Sequence, residues 1–109
     1  ARAQAFHDGR LLKWSGRYPV EVFDPAGHVP AVAGVYLLRD LEGVVVYVGC
    51  SSSSIRSRVV AFRRRHPGAA LGESLAVSLP HPHRYERERL ERLLIQLMAP
   101  RFNREEQDI

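Results

Sequence analysis

The sequence predicts an α+β domain in which antiparallel strands pack against helices. The segments 34–40 and 44–49 are rich in β-branched and aromatic residues, and a short glycine-containing turn separates them, which is typical of a β-hairpin. Apolar residues recur at helical spacing in 55–65 and again in 84–98. Between these helices, 74–79 alternates apolar and small polar residues, as a half-buried strand does. The predicted order is therefore strand, strand, helix, strand, helix.

The helix predicted over 55–65 has clear start and stop signals. Four serines, 51–54, precede it, and serine is a favourable N-cap residue. Pro67-Gly68 ends it. One face carries the apolar residues Ile55, Val59 and Phe62, which we expect in the core.

The helix predicted over 84–98 has a longer apolar stripe and is followed by Pro100. The stripe consists of Leu90, Leu93, Leu94, Leu97 and Met98. Near the N-terminus, 10–23 contains two apolar runs and predicts a hairpin or an extended arm, and Pro19 puts the second run at a sheet edge. The Pro- and Gly-rich segment 24–34 predicts a loop. We accordingly divide the chain into an N-terminal extension (1–30), one domain (31–104) and a frayed polar tail (105–109).

Composition limits the classes of function. The chain has 109 residues, 45% hydrophobic, a net charge of +4 and one cysteine, which allows no internal disulfide. No apolar run is long enough to span a bilayer, so we expect no membrane partner and a cytoplasmic location, with a translocated effector left open. The cluster Arg56, Arg58, Arg63, Arg64 and Arg65 predicts either an anion-binding patch, with nucleic acid the leading ligand, or an ordinary solvated helix face.

Three residues have the chemistry that phosphodiester hydrolysis needs. Tyr36 and Tyr47 flank the predicted hairpin turn with ten residues between them, although two strand aromatics are also common for structural reasons. Glu91 lies at the border of the apolar stripe, where a carboxylate can be half-buried and face a cleft. Ordinary surface ion pairs with the neighbouring arginines explain the other acids of 85-YERERLERL-93 as well as a role in the site does.

The segments Gly34-Val35-Tyr36 and Tyr47-Val48-Gly49 resemble the signature of the GIY-YIG nuclease family. Downstream, 55-IRSRV-59 looks like the helix that carries the catalytic arginine of that family, which points to Arg58, with Arg56 as the alternative. The stretch 90-LERLLIQLMAPRFN-103 resembles the end of the nuclease domain in UvrC-like members. There the resemblance implies a metal-binding Glu91 and a structural Asn103.

The resemblance implies a three-stranded antiparallel sheet flanked by helices and a metal-dependent endonuclease acting on DNA. Tyr47 would take a proton from the attacking water while Tyr36 positions it, and Arg58 would contact the phosphate. Glu91 would hold Mg²⁺ or Mn²⁺. A phenol has an ordinary pKa of about 10, so Tyr47 would need a lowered pKa, with the metal and Arg58 as its sources. Gly34 and Gly49 would support the site, and nucleic acid would bind at Arg56, Arg63, Arg64 and Arg65.

Two positions depart from the family pattern. Cys50 stands where UvrC-like members often have lysine, and Phe62 stands where many members have histidine or tyrosine. Because phenylalanine cannot transfer a proton, His66 one turn further on is either its substitute or a surface residue. The other interpretations are a catalytically weakened nucleic-acid-binding module, and a nuclease toxin domain from a larger polypeptide with an immunity partner. A homodimer is left open, and a zinc site of His66, His81 and His83 is disfavoured by its spacing.

Overall fold

The computed structural model describes residues 18–80 and 83–107. Within them, four strands form one antiparallel sheet: β1 (Val20–Phe23), β2 (Gly34–Asp40), β3 (Val45–Ser51) and β4 (Leu71–Ser78). Their order across the sheet is β1-β4-β2-β3, so β1 and β3 are the two edges. The predicted hairpin is the β2–β3 pair, with Tyr36 opposite Gly49 and Leu38 opposite Tyr47.

The expectation of three strands is wrong, because the sheet has a fourth. Val20–Phe23 pairs with β4, from Val20 opposite Val77 to Phe23 opposite Ser74. Pro19 precedes this strand, and the strand lies at an edge, as its position predicts. The pattern of the sequence and the family resemblance both led to three strands, because both counted strands only from residue 34 onward and left 10–23 as a hairpin or an extended arm. The remainder of the predicted N-terminal hairpin, 10–17, lies outside the described residues.

Within the described residues, three helices cover both faces of the sheet: α1 (Ile55–Arg65), α2 (Arg84–Met98) and α3 (Arg101–Gln107). Ser54 caps α1, since its side chain accepts a hydrogen bond from the Ser57 amide. No helix in the described part of the chain is both long enough and apolar enough to cross a bilayer. The bounds of α1 and α2 agree with the prediction.

The core has two halves, one on each face. One half joins the sheet to α2 through residues that include Val48, Leu90 and Leu94. The other joins the sheet to α1 and α3 through residues that include Tyr36, Val59, Phe62 and Phe102. The prediction of a half-buried third strand is therefore wrong: Ser74, Leu75, Ala76 and Val77 of β4 are all buried, because β4 is an inner strand with helices on both sides.

The predicted tail begins inside a helix. Residues 105–107 are the last turn of α3, which packs on β3 through Phe102 and Asn103. The amide of Asn103 accepts from the Val48 backbone N–H and donates to the Val48 carbonyl, both at 2.9 Å. These two bonds occupy the outward-facing backbone groups of an edge strand, which would otherwise lack partners when α3 covers them. The sequence contains helix formers here, but their docking depends on this tertiary contact.

Candidate active site

Tyr36 lies under the backbone of β3 because its cross-strand partner is a glycine. A Cβ atom at Gly49 would be 2.4 Å from both Cζ and Oη of Tyr36, so no other residue fits there without moving the ring. Gly34 allows a comparable close approach, since a Cβ there would be 2.0 Å from the Val77 carbonyl oxygen. Steric crowding thus explains why both Gly34 and Gly49 are glycines. Burial, followed by the charge of Tyr47, raises the pKa of Tyr36.

Tyr47 lies on the same face, with its ring centroid 6.1 Å from that of Tyr36 and 4.7 Å from that of Phe62. Its hydroxyl donates a hydrogen bond to Oε1 of Glu106 at 3.2 Å. Burial, followed by the Glu106 charge, raises the pKa of Tyr47 to about 12. The surrounding protein therefore does not provide the lowered pKa that a phenolate base needs, and the nearby positive charge comes from Arg65 rather than the expected Arg58.

Glu106 connects three residues at the far side of Tyr47. Its Oε2 accepts from Nε and Nη2 of Arg65 at 3.2 and 3.0 Å, and lies 3.1 Å from Nε2 of His66. Burial works to raise the pKa of Glu106, but the hydrogen bonds from His66, Arg65 and Tyr47 outweigh it and lower the pKa. At neutral pH this group is consequently a carboxylate that accepts a hydrogen bond from the Tyr47 phenol.

Phe62 is fully buried at the centre of this aromatic group. Its ring centroid is 4.6 Å from that of His66 and 5.4 Å from that of Phe102. It therefore has a packing role where a polar residue was expected from the family. His66 is connected to Tyr47 through Glu106, whose two carboxylate oxygens bind the Tyr47 hydroxyl and Nε2 of His66.

Arg58 and Arg56 differ clearly in their surroundings. The side chain of Arg58 is exposed and forms no hydrogen bond or ion pair with residues in 18–80 or 83–107. Arg56 instead donates from Nε to the Val29 carbonyl at 2.8 Å, which ties α1 to the preceding loop. A group that must contact a ligand has to be available, so the geometry favours Arg58 over Arg56.

The remaining arginines of α1 are not equivalent either. Arg65 is bound to Glu106, and Nη1 of Arg63 is 3.5 Å from the Pro25 carbonyl. Arg64 is exposed and has no side-chain partner within the described parts of the chain. Of the predicted nucleic-acid-binding set, Arg64 is thus the residue whose charge is most available to solvent.

Glu91 of α2 reaches the end of β3, where it meets Cys50. The thiol and the backbone amide of Cys50 lie near the Glu91 carboxylate and act to lower its pKa. Half-burial nevertheless raises the pKa of Glu91, and burial followed by the Glu91 charge raises the pKa of Cys50 to about 11. Cys50 is thus a neutral thiol beside Glu91 at physiological pH, where UvrC-like members often have a cation.

The four predicted catalytic residues come together around the end of an edge strand. Tyr36 and Tyr47 approach β3 from the α1 side, while Glu91 approaches from the α2 side, next to Cys50. Arg58 is close enough for its charge to lower the pKa of both Tyr36 and Glu91. Because β3 is an edge of the sheet that the described residues form, side chains from the two helical layers can meet there.

A cleft of about 510 Å³ opens beside Glu91. It is lined by Cys50, Ser52, Arg58, Arg84, Arg87 and Glu88. Arg87 was not predicted as a functional residue, because it was assigned to surface ion pairs, yet it is only 2% exposed. Glu106 was also missed, because it falls in the predicted tail. Its contact with Tyr47 spans 59 positions, and no local pattern signals such a contact.

The side chains that can donate to a metal near Glu91 determine which metal the site could hold. The described residues contain no group of three or more His, Cys, Asp or Glu side chains arranged for a metal ion. Glu91 is a single hard oxygen donor, and the neighbouring thiol is protonated. This set fits a largely hydrated Mg²⁺ or Mn²⁺ and not a structural zinc ion. His81 of the disfavoured zinc site lies outside the described residues, and His66 is bound to Glu106.

Fold and site together define a small α+β domain with a basic cleft at the edge of an antiparallel sheet. No family model matches the chain. The chain is 42% identical over 79 residues to UvrABC system protein C of Treponema pallidum (strain Nichols). The alignment covers 68% of this chain and 11% of that protein, so the chain spans about a tenth of the length of the curated relative it matches. Over this stretch the chain is a homologue of one part of that protein.

Proposed function

We propose that this domain is a metal-dependent endonuclease of the GIY-YIG type that hydrolyses phosphodiester bonds of DNA. The observation that carries the proposal is the convergence of Tyr36, Tyr47, Arg58 and Glu91 on the end of β3. The likeness to UvrABC system protein C supports the same class of function. DNA is therefore the proposed partner, and a role in DNA repair is favoured over one in restriction.

Arg58 provides the contact to the scissile phosphate. Its guanidinium is exposed beside the cleft and can form two parallel hydrogen bonds with phosphate oxygens. The charge of a phosphorane-like transition state is greater than that of the bound diester, so this contact strengthens as the reaction proceeds. Removing one such stabilising group slows comparable enzymes by about 10²–10³.

Tyr47 and Glu106 provide the route for the proton of the attacking water. Because the pKa of Tyr47 is about 12, its hydroxyl is protonated at neutral pH and cannot act as a preformed base. The water proton can move to Oη of Tyr47 as the tyrosine proton moves to Oε1 of Glu106, 3.2 Å away. The resulting hydroxide attacks phosphorus and the 3′ oxygen departs. Tyr36, fixed over Gly49, limits the positions that the water can occupy.

Glu91 would hold a divalent cation, Mg²⁺ or Mn²⁺, at the mouth of the cleft. When bound, such a cation neutralises charge on the phosphate and on the departing oxygen. Half-burial raises the pKa of this carboxylate, so a bound cation would stabilise its charged form, and Cys50 lies next to it. The chain's own contribution is thus one aimed carboxylate, with water and phosphate oxygens completing the coordination.

Cleavage of plasmid DNA tests the proposal. With Mg²⁺ or Mn²⁺ present, wild-type protein should nick the plasmid, while Arg58→Ala and Glu91→Gln should lose activity by about 10² or more. The exposed residues Arg104 and Glu105 provide matched controls, and Arg104→Ala and Glu105→Gln should cleave normally. Circular dichroism and thermal melting must show that all four variants are folded. Undiminished nicking by both site variants would refute the assignment.

A nucleic-acid-binding module without catalysis is the second candidate, and two observations favour it. Phe62 fills the position where the family often has a proton-transferring residue, and the pKa of Tyr47 is raised rather than lowered. This candidate predicts salt-dependent DNA binding with no cleavage under any divalent metal. The plasmid assay separates it from the nuclease, because the nuclease predicts product and the module does not.

A further inference from the structure

We propose that the cleft at the start of α2 is a second phosphate-binding site, with Arg87 as its anchoring guanidinium. This inference rests on the proposed function for the source of the phosphate, which is the nucleic-acid strand, while the binding chemistry is argued from the cleft itself. No step of the proposed catalysis uses Arg87. The site would hold a phosphate beside the one that Arg58 contacts.

The buried state of Arg87 is the first observation. Its side chain is among the largest that are fully buried, yet Nη1 donates to the Leu79 carbonyl at 3.0 Å and the side chain has no other hydrogen bond or ion pair in the described ranges. A guanidinium has five N–H donors, and burying an unpaired charge is costly. A bound anion would supply the missing acceptors and the missing negative charge.

The position of Arg87 in α2 is the second observation. Arg84 and Arg87 lie in the first turn of this 15-residue helix. The helix dipole adds partial positive charge at that end, where acidic side chains are the stabilising ones. Two arginines at this end therefore destabilise the helix, and their charges add to the positive potential of its N-terminus. Glu86 is the acid of the first turn, and it is engaged by the Tyr18 hydroxyl and by His83.

The composition of the cleft is the third observation. Three arginines face it, namely Arg58, Arg84 and Arg87, against one carboxylate, Glu88. That carboxylate is 3.2 Å from Nε of Arg84 in an exposed ion pair, so it is not paired with Arg58 or Arg87. Ser52 and Cys50 add a hydroxyl and a thiol to the wall. A volume of about 510 Å³ admits a phosphate together with an attached sugar.

The chemistry of the site suits a phosphate group. A planar guanidinium donates two parallel hydrogen bonds to phosphate oxygens, and a second arginine can engage the remaining oxygens. Arg58 borders both the cleft and the catalytic residues, so a strand can contact both sites without leaving the protein surface. The phosphate would be either an internal diester or a terminal monoester of a strand.

Thermal melting in inorganic phosphate, at constant ionic strength and without divalent metal, tests the site. The wild-type melting temperature should rise with phosphate concentration and saturate, because a ligand that binds only the folded state stabilises it. Arg87→Met replaces the guanidinium with an apolar chain of similar length, and it should weaken phosphate binding by about tenfold or more. Arg92→Met removes an exposed arginine of the same helix outside the cleft and should match wild type.

Arg84→Met keeps the test usable if Arg87→Met does not fold, since Arg84 is exposed. It should also weaken phosphate binding, whereas Arg92→Met should not. A wild type that phosphate does not stabilise, or a folded Arg87→Met protein with unchanged phosphate affinity, would overturn the proposal. Neither result depends on whether the domain cleaves DNA, so failure of this site and failure of the nuclease assignment are separate outcomes.

Short oligodeoxynucleotides with and without a 5′-phosphate identify the source of the phosphate. If the site takes an internal diester, Arg87→Met should weaken binding of both oligonucleotides equally. If it takes a strand end, Arg87→Met should affect only the phosphorylated oligonucleotide. An Arg87→Met protein that binds both as wild type does would contradict the proposal.

Discussion

At the scale of single residues, the site depends on one missing side chain. The Tyr36 phenol occupies the space where a Cβ of residue 49 would be, so the position of a catalytic candidate is set by a glycine on the neighbouring strand. Gly68 offers the contrast, because nothing lies within 4 Å of a Cβ there. The two glycines are equally small, but they differ completely in what surrounds them.

Gly49→Ala should therefore destabilise the protein and displace Tyr36. Overpacking of this kind costs about 1–3 kcal/mol in the free energy of unfolding. Gly68→Ala should change that free energy by less than about 0.5 kcal/mol. Urea denaturation measures both, and plasmid cleavage should fall only in the Gly49 variant. Equal stability of the two variants would show that Tyr36 can move at little cost.

Glu106→Gln tests the proton route from Tyr47. The amide can still accept the Tyr47 hydrogen bond but cannot take its proton, so cleavage should slow by about 10² or more. Glu105→Gln, at the exposed neighbouring position, should retain the wild-type rate. Single-turnover cleavage at saturating metal measures the difference. A wild-type rate for Glu106→Gln would exclude Glu106 as the proton acceptor.

The same variant predicts a change in acid stability. Although burial acts in the opposite direction, the hydrogen bonds of His66 and Arg65 lower the pKa of Glu106 in the folded protein. A carboxyl group with a lowered folded-state pKa stabilises the fold above its ordinary pKa of about 4.3, and this stability is lost as the pH falls through the folded value. Glu106→Gln should be less stable than wild type at neutral pH, and the difference should shrink on acidification. A constant difference across the acidic range would contradict this.

At the scale of elements, α3 is held to the sheet by the buried Phe102 ring and by the amide of Asn103. Asn103 replaces a missing neighbour strand for Val48, since its side chain both donates to and accepts from the Val48 backbone. The same docking positions Glu106 one turn later, next to Tyr47. A structural contact and a proposed proton acceptor are therefore parts of the same short helix.

Asn103→Leu should lose both bonds and cost about 2–4 kcal/mol, because it leaves two buried backbone groups unpaired. Asn103→Asp can still accept from the Val48 N–H but cannot donate to its carbonyl, so it should cost less than Asn103→Leu. Arg104→Ala, at the adjacent exposed position, should be within about 0.5 kcal/mol of wild type. Chemical denaturation gives the order, and a costlier aspartate than leucine would contradict it.

At the scale of the whole molecule, the net charge of +4 overstates the charge available to a ligand. Arg56 and Arg65 of the basic cluster are used within the protein, while Arg58, Arg64 and the arginines of the cleft are open to an anion. The free charges lie on α1 and at the start of α2, on both sides of the β3 edge. This distribution favours a ligand that follows that edge.

The salt dependence of DNA binding should distinguish arginines that are open to a ligand from arginines that are bound within the protein. The logarithm of the binding constant falls with the logarithm of salt concentration by about 0.9 per phosphate contacted. Arg64→Ala should reduce the slope by about 1 if this residue contacts a phosphate. Arg56→Ala should leave the slope unchanged and instead lower the melting temperature, because it removes the bond to Val29. Fluorescence anisotropy over a salt series measures the slope, and equal slopes for wild type and Arg64→Ala would remove Arg64 from the interface.

The prediction from sequence was most successful where the signal is local. The helices α1 and α2 have the predicted bounds, because caps, proline stops and apolar spacing act within a few residues of each other. Residues 71–73 and β1 could not be assigned with the same success, because their strand conformation depends on pairing with distant partners. The pattern of β4 was misleading for the same reason: small polar residues such as Ser74 are buried by helices on both faces, and the hydroxyl of Ser74 is used by the Arg39 amide.

The sequence by itself determined the α+β class, the hairpin with its two tyrosines and the two long helices, and it provided the residue types of the proposed phosphodiesterase site. Only the tertiary structure decided which of them meet. In the structure, Arg58 is exposed whereas Arg56 is hydrogen-bonded to the preceding loop. Glu106 contacts Tyr47, and Arg87 is buried beside a cleft. The physical reason is that burial and the pKa of a group depend on neighbours that are distant in sequence, whereas helix periodicity and capping depend on neighbours along the chain.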